Sequence, residues 1–265
     1  MTRVAVVTGA ARGIGAATVV ALASAGWSVV AVDRCADDPR LPYRLGSQEE
    51  LLEVVERAGA AGAGDRVRAL AGDAASADDM ARAVAGAEQE FGGLDAFIAV
   101  AGVIAGGVPL WEMPLEQQAA VLEANLSSVL VAARVGIPAL LRRPEPRAGR
   151  FLAVASAAAT RGLPLLAAYC AAKAGVTGLI RALAAELRGT GITANAVSPG
   201  STATRILDES ARLYGLESAE AFSSQQPIAR LIRPEEVAAT LVWLADESTD
   251  AITGAAVPVD GGLSL

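Results

Sequence analysis

The feature that most constrains the fold is a glycine-rich loop between an apolar strand and a helical pattern near the start of the chain. Residues 4–7 form a short apolar run, residues 8–15 read Thr-Gly-Ala-Ala-Arg-Gly-Ile-Gly, and an Ala- and Val-rich helical pattern covers 16–25. Glycines allow the backbone to approach a pyrophosphate closely, and the free N–H groups at a helix start stabilise its charge. The pattern predicts a nucleotide-binding strand, loop and helix.

A carboxylate follows at the spacing that dinucleotide binding requires. The second apolar run, residues 28–32, ends at Asp33, eighteen residues after Gly15. An acid at this place binds the hydroxyls of the adenosine ribose and repels a 2′-phosphate, so we expect NAD rather than NADP. Arg12 and Arg34 are close enough in sequence to pair with such a phosphate, but mobile surface arginines offset a direct like-charge contact poorly.

Strands and helices alternate along the rest of the chain. Further strands are predicted at residues 67–71, 94–100, 151–155, 192–197 and 256–259. Helices are predicted at residues 48–58, 77–91, 114–141, 169–188 and 234–245. This alternation predicts an α/β fold with a doubly wound parallel sheet, a Rossmann fold in three αβα layers. With 265 residues, one domain spanning 1–265 is the simplest organisation.

Two segments fit neither pattern. Residues 34–47 contain two prolines and no clear period, and the segment is longer than most strand-to-helix connections, so we predict a loop on the cofactor side. Residues 201–226 mix a helical pattern with large apolar side chains and are a candidate substrate lid. Four of those side chains are expected near the surface: Leu213, Tyr214, Leu216 and Phe222.

The composition removes many other kinds of chemistry. A net charge of -7 and a pI near 4.8 argue against nucleic acid or an anionic membrane as a partner. The chain has no histidine, which excludes Ser-His-Asp hydrolysis and His-ligated zinc. Cys35 and Cys170 are too few and too isolated for a zinc cluster, so no metal site is expected, and they fit a reducing cytoplasm.

An export signal is the alternative interpretation of the N-terminal stretch. Residues 13–32 carry no charge, and Ala23-Ser24-Ala25 resembles a signal-peptidase site. Against this, glycines interrupt the stretch, and its apolar pattern divides into helix and strand. The same interruptions argue against a membrane span.

A phenol and an ammonium lie one helical turn apart at the start of the predicted 169–188 helix. Tyr169 and Lys173 share a helix face, and Lys173 is the only lysine among 22 basic residues. A nearby cation favours the phenolate, and an ammonium can reach several partners that a planar guanidinium cannot. The pair is a candidate general acid and base. Asn125, a lone amide in the apolar 114–141 helix, is costly to bury unless it is hydrogen-bonded.

With these residues in place, the chain resembles the short-chain dehydrogenase/reductase family along essentially its whole length. The family's Thr-Gly-x-x-x-Gly-x-Gly loop matches residues 8–15. Its adenine-side acid and its active-site Asn, Ser, Tyr and Lys match Asp73, Asn125, Ser156, Tyr169 and Lys173. One departure is present, because the family's Asn-Asn-Ala-Gly is Ala-Val-Ala-Gly at residues 99–102. The missing amides put in doubt some hydrogen bonds that steady the cofactor rim.

The resemblance implies hydride transfer between NAD and a carbonyl or secondary alcohol carbon. Ser156 would hydrogen-bond the substrate oxygen, and Tyr169 would exchange its proton, with the phenol's pKa lowered by Lys173 and by oxidised nicotinamide. Lys173 would also hold the nicotinamide ribose, and Asn125 would position a water beside that lysine. The expected cofactor-binding residues are Gly9, Arg12, Gly13, Ile14, Gly15, Asp33, Asp73, Ala74, Ala101, Gly102, Tyr169, Lys173, Pro199, Gly200, Thr202 and Thr204.

Uncharged residues flank the reactive positions, and we expect an apolar alcohol or ketone in contact with Ala158, Leu163 and Leu165. The resemblance also suggests a homotetramer. The 34–47 insertion is similar to one in a bacterial subgroup coupled to mycofactocin, in which NAD stays bound and passes electrons to a second redox carrier. The alternative is a sensor or scaffold of the same fold that binds the nucleotide without turnover, against which the intact Asn, Ser, Tyr and Lys argue.

Overall fold

The apolar runs form seven parallel strands in one sheet, in the order β3-β2-β1-β4-β5-β6-β7. The computed structural model describes residues 2–265. The strands are β1 Val4–Thr8, β2 Ser28–Asp33, β3 Val67–Ala71, β4 Ala96–Ala99, β5 Gly149–Val154, β6 Ile192–Pro199 and β7 Ala256–Val259. The helices are α1 Gly13–Ser24, α2 Gln48–Ala58, α3 Ala77–Phe91, α4 Leu115–Leu122, α5 Ser128–Leu141, α6 Ala167–Glu186, α7 Arg205–Leu213 and α8 Pro234–Ala245. The predicted doubly wound α/β fold is confirmed.

Side chains alternate across the sheet and create one core on each face. In β1, Val4 and Val6 join the core formed with α3, α5 and α6, while Ala5 and Val7 join the core formed with α1, α2 and α8. All five residues of β1 are buried because helices cover both faces. Burial of each large apolar side chain contributes about 1.5–3 kcal/mol, so the two cores hold the three layers together.

The strand order reverses beside β1, and this reversal positions the site. From β1 the chain continues outward to β2 and β3, then returns to place β4 on the other side of β1. The connections that leave the carboxyl ends of β1 and β4 therefore diverge. A crevice opens between them, which is where ligands bind in open α/β sheets.

The predicted 114–141 helix is interrupted at its middle. A π-helical turn, Glu123–Ser127, separates α4 from α5 and contains the buried Asn125. Such turns insert one extra residue and often occur at functional sites. The continuous segment Leu115–Leu141 is long and apolar enough to span a bilayer by length and composition, but it packs against α3, β4 and β5 here. One such helix is weak evidence for a membrane span, since core helices pass the same test.

Several predicted boundaries differ from those observed. The fourth strand is shorter than 94–100, and β6 extends past 197 to Pro199. Helix α1 starts at Gly13, inside the predicted glycine loop, and α6 starts at Ala167, before Tyr169. In the fourth strand the apolar run continues beyond the paired backbone, whereas β6, α1 and α6 extend beyond their predicted ends, so composition alone does not mark the ends of an element.

The 201–226 segment contains α7 and a 3₁₀ stretch, Ala219–Gln225. The expectation that Phe222 lies near the surface is wrong, since its side chain is 7% exposed. Phe222 packs with Leu207 and Ala211 of α7 and meets the Tyr214 ring edge-on at 6.1 Å between centroids. This small core gives the candidate lid its own shape.

Candidate active site

A cleft of about 710 Å³ opens at the carboxyl edge of the sheet. It runs from the loop after β1, past the ends of β4, β5 and β6, to the 201–226 segment. All sixteen expected cofactor-binding residues and the four expected catalytic residues border this one cleft. The structure therefore brings together residues as far apart in the sequence as Gly9 and Thr204.

The glycine loop brings the start of α1 against the end of β1. A Cβ on Gly15 would lie 2.0 Å from the Gly9 carbonyl oxygen, a distance that no side chain permits. Arg12 is the N-cap of α1, and the first turn of the helix consists of small or apolar residues. Its free N–H groups and the positive end of its dipole suit the negative charge of a pyrophosphate.

Asp33 ends β2 at the rim of the cleft. Its carboxylate accepts backbone hydrogen bonds from Ala11 at 3.0 Å and from Cys35 at 3.3 Å. Burial raises the pKa of Asp33, opposed by these two backbone hydrogen bonds and by the charge of Arg12. A carboxylate held in this way can accept hydrogen bonds from the ribose hydroxyls, and it repels an added 2′-phosphate.

The two arginines near Asp33 already have carboxylate partners. Arg12 pairs with Glu50 at 2.6 Å, and Arg34 pairs with Asp38 at 2.9 Å and with Asp73 at 3.5 Å. Each guanidinium would have to leave an ion pair before it could bind a 2′-phosphate. The arrangement supports the preference for NAD that Asp33 predicts.

Lys173 lies deep in the cleft on α6. Its side chain is 3% exposed, and its Nζ donates to the Val154 carbonyl oxygen at 2.9 Å. Burial lowers the pKa of Lys173 to about 8, so the ammonium form still prevails at neutral pH. The Nζ lies 5.7 Å from the centre of the Tyr169 ring.

Burial raises the pKa of Tyr169 to about 12, and the Ser156 hydroxyl opposes this rise. The expectation that Lys173 lowers the pKa of the phenol is not met by the protein groups alone. The loss of water around the ring is the largest cause of the raised pKa, and the ammonium is bound to the β5 carbonyl instead. Ser156 follows β5, and its Oγ accepts from the Ala158 N–H at 3.1 Å.

Asn125 is fully buried in the π turn, and the hydrogen bonds of its side chain are made by the amide nitrogen. Its Nδ2 donates to the carbonyl oxygens of Val103 and Val121, each at 2.8 Å. Within residues 2–265, its Oδ1 has no hydrogen-bond partner. A Cβ on Gly102 would lie 2.6 Å from this Oδ1 and 3.5 Å from Lys173 Nζ. The absence of a side chain at Gly102 leaves room beside the amide oxygen and the ammonium.

A threonine binds the backbone at residues 99–102, where the two family amides are missing. Thr8 Oγ1 accepts from the Val100 N–H at 3.1 Å and from the Ala101 N–H at 3.2 Å. This hydroxyl belongs to β1, which pairs with β4, and it steadies the backbone where β4 leaves the sheet. The rim of the cleft is therefore held without the two family amides.

The substrate end of the cleft differs in part from the sequence prediction. Ala158 and Leu163 line the cleft, whereas Leu165 does not and the neighbouring Leu166 takes that place. Leu165 has a left-handed backbone, φ 61°, and its side chain is 37% exposed. Arg161, which sequence analysis missed, also lines this end and donates to the Leu263 carbonyl oxygen at 2.5 Å. The wall is therefore not free of charge.

Tyr43 belongs to the loop that sequence analysis predicts on the cofactor side, but its place near the catalytic end of the cleft was not predicted. It lies in the 34–47 loop, borders the cleft, and packs in one apolar cluster with Leu41, Val103 and Tyr169. The apolar side chains of that loop were the available signal, but the cluster that they share with Tyr169 is a tertiary feature. The loop thus reaches beyond the adenosine end of the cleft.

The residues present fit a dinucleotide whose reactive ring would lie beside Tyr169 and Lys173. The glycine loop, Asp33 and the buried Asn125 are all parts of one cleft. Among the described residues 2–265, no group of three or more His, Cys, Asp or Glu side chains is arranged to hold a metal ion. Fold and site together define a dinucleotide-dependent oxidoreductase of the Rossmann class.

Comparison with known proteins narrows this class. A family model described as enoyl-(acyl carrier protein) reductase matches residues 9–264. The short-chain reductase protein NovJ of Streptomyces niveus is 36% identical, over 98% of this chain and 93% of that protein. The cis-4-hydroxycyclohexanecarboxylate dehydrogenase of Sinomonas cyclohexanicum is also 36% identical, over 98% and 96%. The crystal structure of carveol dehydrogenase from Mycobacterium avium with NAD has a TM-score of 0.91 at 28% identity, covering 98% and 97%.

The chain belongs to the short-chain dehydrogenase/reductase family. The resemblance inferred from its motifs is confirmed.

Proposed function

We propose that this protein transfers a hydride between NAD and an apolar secondary alcohol or ketone, with Tyr169 as the general acid and base. The observation that carries the proposal is the meeting of two sets of residues in one cleft. The glycine loop and Asp33 form one end, and Ser156, Tyr169, Lys173 and Asn125 form the other. The four candidate catalytic residues come from the connection after β5, from α6 and from the π turn, so only the complete fold brings them together.

The cofactor end supports NAD in particular. The start of α1 would bind the pyrophosphate, Asp33 the adenosine ribose, and Asp73 with Ala74 the adenine edge. Ala101 and Gly102 would contact the cofactor where β4 ends. Pro199, Gly200, Thr202 and Thr204 border the cleft and would lie around the reactive ring. When bound, NAD supplies the hydride acceptor or donor, which none of the side chains provides.

The catalytic end supports proton transfer at the substrate oxygen. Ser156 Oγ would hydrogen-bond that oxygen, and Tyr169 would remove its proton in oxidation or return it in reduction. The phenol's pKa of about 12 in the protein alone means that a further positive charge must favour the phenolate for oxidation to proceed near neutral pH. Oxidised nicotinamide carries such a charge. Lys173 would hold the nicotinamide ribose, and Asn125 Oδ1 would hold a water beside Lys173 Nζ.

The names of two similar proteins support a secondary alcohol as substrate. One is a dehydrogenase of cis-4-hydroxycyclohexanecarboxylate, and the other is a carveol dehydrogenase whose structure holds NAD. In this chain, Ala158, Leu163 and Leu166 offer an apolar surface next to Ser156 and Tyr169. Pocket shape rather than composition will separate one such alcohol from another.

The 34–47 segment supports the finer proposal that NAD is held tightly and is reoxidised in place by a second redox carrier, as in the mycofactocin-coupled subgroup. The end of the segment lies against the glycine loop and Asp33. Arg12 donates to the Arg44 carbonyl oxygen at 3.1 Å, and a Cβ on Gly46 would lie 2.7 Å from Asp33 Oδ1. Release of the adenosine would require these contacts to open. A cytoplasmic homotetramer remains our expectation for the assembled protein.

A paired assay tests the proposal. Purified protein is given a panel of secondary alcohols, first with added NAD and then with an artificial electron acceptor, and absorbance is followed. Free turnover of added NAD supports an ordinary dehydrogenase, whereas turnover only with the acceptor, by protein that elutes from gel filtration with NAD, supports the second carrier. Silence in both favours a nucleotide-bound sensor. An enoyl thioester with NADH tests reduction of a carbon–carbon double bond, the activity in the family model's description.

A further inference from the structure

The 34–47 segment contacts the catalytic end of the cleft through a single peptide group. The Tyr43 hydroxyl accepts a hydrogen bond from the Ile104 N–H at 2.9 Å. The Val103 carbonyl oxygen accepts from Asn125 Nδ2 at 2.8 Å. This carbonyl and this N–H belong to the same planar peptide unit, so Tyr43 and Asn125 bind its two opposite ends.

We propose that Tyr43 is a positioning residue, which holds the Val103–Ile104 peptide and thereby sets the orientation of the Asn125 amide. This inference rests on the proposed function, in which Asn125 Oδ1 holds a water beside Lys173. Within the described residues 2–265, two hydrogen bonds orient the Asn125 side chain, and the Val103 carbonyl accepts one of them. A rotation of the peptide would therefore tilt the amide and move its free oxygen.

Three observations support the positioning role of Tyr43. Its ring packs against the apolar cluster that contains Leu41 and Val103, which restrains the hydroxyl. Ile104 is buried, so its N–H would lack water as a substitute partner if the hydroxyl were removed. Burial also raises the pKa of Tyr43 well above its usual range, so the hydroxyl stays neutral at working pH. An N–H that is hydrogen-bonded polarises its peptide and strengthens the carbonyl at the other end.

A second contact joins the 34–47 segment to the π turn that contains Asn125. Arg40 Nη1 lies 2.6 Å from a carboxylate oxygen of Glu123, the first residue of the π turn that contains Asn125. Asp38 in turn accepts from Arg40 Nε at 2.9 Å, which orients the guanidinium. The segment therefore holds the π turn directly and the Asn125 acceptor through Tyr43. It joins the adenosine end of the cleft to the catalytic amide.

The three tyrosines of the chain allow a matched experiment. Each of two substitutions, Tyr43→Phe and Tyr214→Phe, removes a hydroxyl that is hydrogen-bonded to the backbone at the cleft. The Tyr43 hydroxyl accepts from the Ile104 N–H, and the Tyr214 hydroxyl donates to the Pro164 carbonyl oxygen at 2.7 Å. An ångström-scale displacement of a catalytic group can cost about 100-fold, so loss of one orienting contact in Tyr43→Phe should lower kcat about tenfold. KM and the NAD dissociation constant should stay within about twofold of wild type. Tyr214→Phe should instead change KM for the alcohol.

A double-mutant cycle then separates positioning from general destabilisation. If Tyr43 acts through Asn125, Tyr43→Phe should cause no further loss of kcat in the Asn125→Ala background. Independent, additive losses would overturn the proposal. So would a Tyr43→Phe variant whose kcat is unchanged while NAD binds more weakly, since the hydroxyl would then serve the cofactor alone.

An NMR experiment that needs no catalytic turnover tests the positioning role even if the proposed function is wrong. The side-chain amide signals of Asn125 can be identified in an NMR spectrum as those missing from Asn125→Ala. They should shift in Tyr43→Phe and stay in place in Tyr214→Phe, and the Ile104 amide should exchange with solvent faster in Tyr43→Phe. Unmoved Asn125 signals would overturn the positioning role whatever the activity. An inactive wild type with shifted signals would reject the proposed function and leave the structural link established.

Discussion

Replacement of Lys173 by methionine tests the electrostatic cost of the buried ammonium. Burial lowers the pKa of Lys173 from 10.5 to about 8, and each pKa unit corresponds to about 1.4 kcal/mol. At neutral pH the folded protein therefore carries a penalty of about 3 kcal/mol for keeping this side chain charged. Lys173→Met removes the penalty, but it also removes the hydrogen bond to Val154, which is worth about 1.5–3 kcal/mol for a charged donor. The net change at neutral pH is small.

The pH dependence of this change is the decisive quantity. The folded-state pKa lies below the unfolded one, so between about pH 8 and pH 10.5 the unfolded chain binds more protons at this site. The lysine's contribution to stability therefore rises with pH in this window. By linkage, wild type should gain about 2 kcal/mol relative to Lys173→Met between pH 7 and pH 9.5.

Urea unfolding of nucleotide-free protein at equal concentrations measures this difference, because bound ligand or subunit association would shift the apparent stability. Arg181→Met is the matched control, since Arg181 is exposed on the same helix and a guanidinium keeps its charge over this range. Its difference from wild type should be constant with pH. A constant difference for Lys173→Met as well would refute the claim that burial lowers the pKa of Lys173.

Four further predictions concern activity and the cofactor. Tyr169→Phe should lower kcat by about 100-fold or more with NAD affinity nearly intact, and a variant that keeps more than about a tenth of kcat would contradict the general-base role. Lys173→Arg should be inactive, because the planar fork cannot take the ammonium's place, and normal activity would show that charge alone suffices. NAD should bind more tightly than NADP in calorimetry because of Asp33, so comparable dissociation constants would reject that assignment. In the free protein the pKa of Tyr169 is raised to about 12, so kcat/KM for oxidation should increase with pH from 7 to 9.5, and a flat profile would contradict it.

Much of the fold could be predicted because its signals are local. The predicted segments 48–58, 67–71, 77–91, 234–245 and 256–259 match the observed elements residue for residue. The first two helices of this group are amphipathic and begin or end at clear caps; Ser47, for example, forms a capping box with Glu50. The ends of buried elements were predicted less accurately, because an apolar run such as 94–100 continues past the last paired residue of its strand.

The π turn at Glu123–Ser127 could not be predicted from the helical period. It depends on Asn125 donating both to Val121 within the helix and to Val103 across the cleft. The second acceptor is 22 residues away in the chain and is brought near only when β4 lies in the sheet. The same reason explains Leu165, whose left-handed backbone turns its side chain out of the cleft and leaves Leu166 in contact with it.

By itself, the sequence determined the alternation of strands and helices, the glycine loop, Asp33, and the motif positions of the candidate catalytic residues, because each of these depends on residue type at a short spacing. The tertiary structure decided which groups act on one another. Burial raises the pKa of Tyr169 despite the ammonium one turn away, and the 34–47 loop reaches the catalytic amide through Tyr43. Both effects arise from solvent exclusion and from contacts between segments far apart in the chain, which no local pattern records.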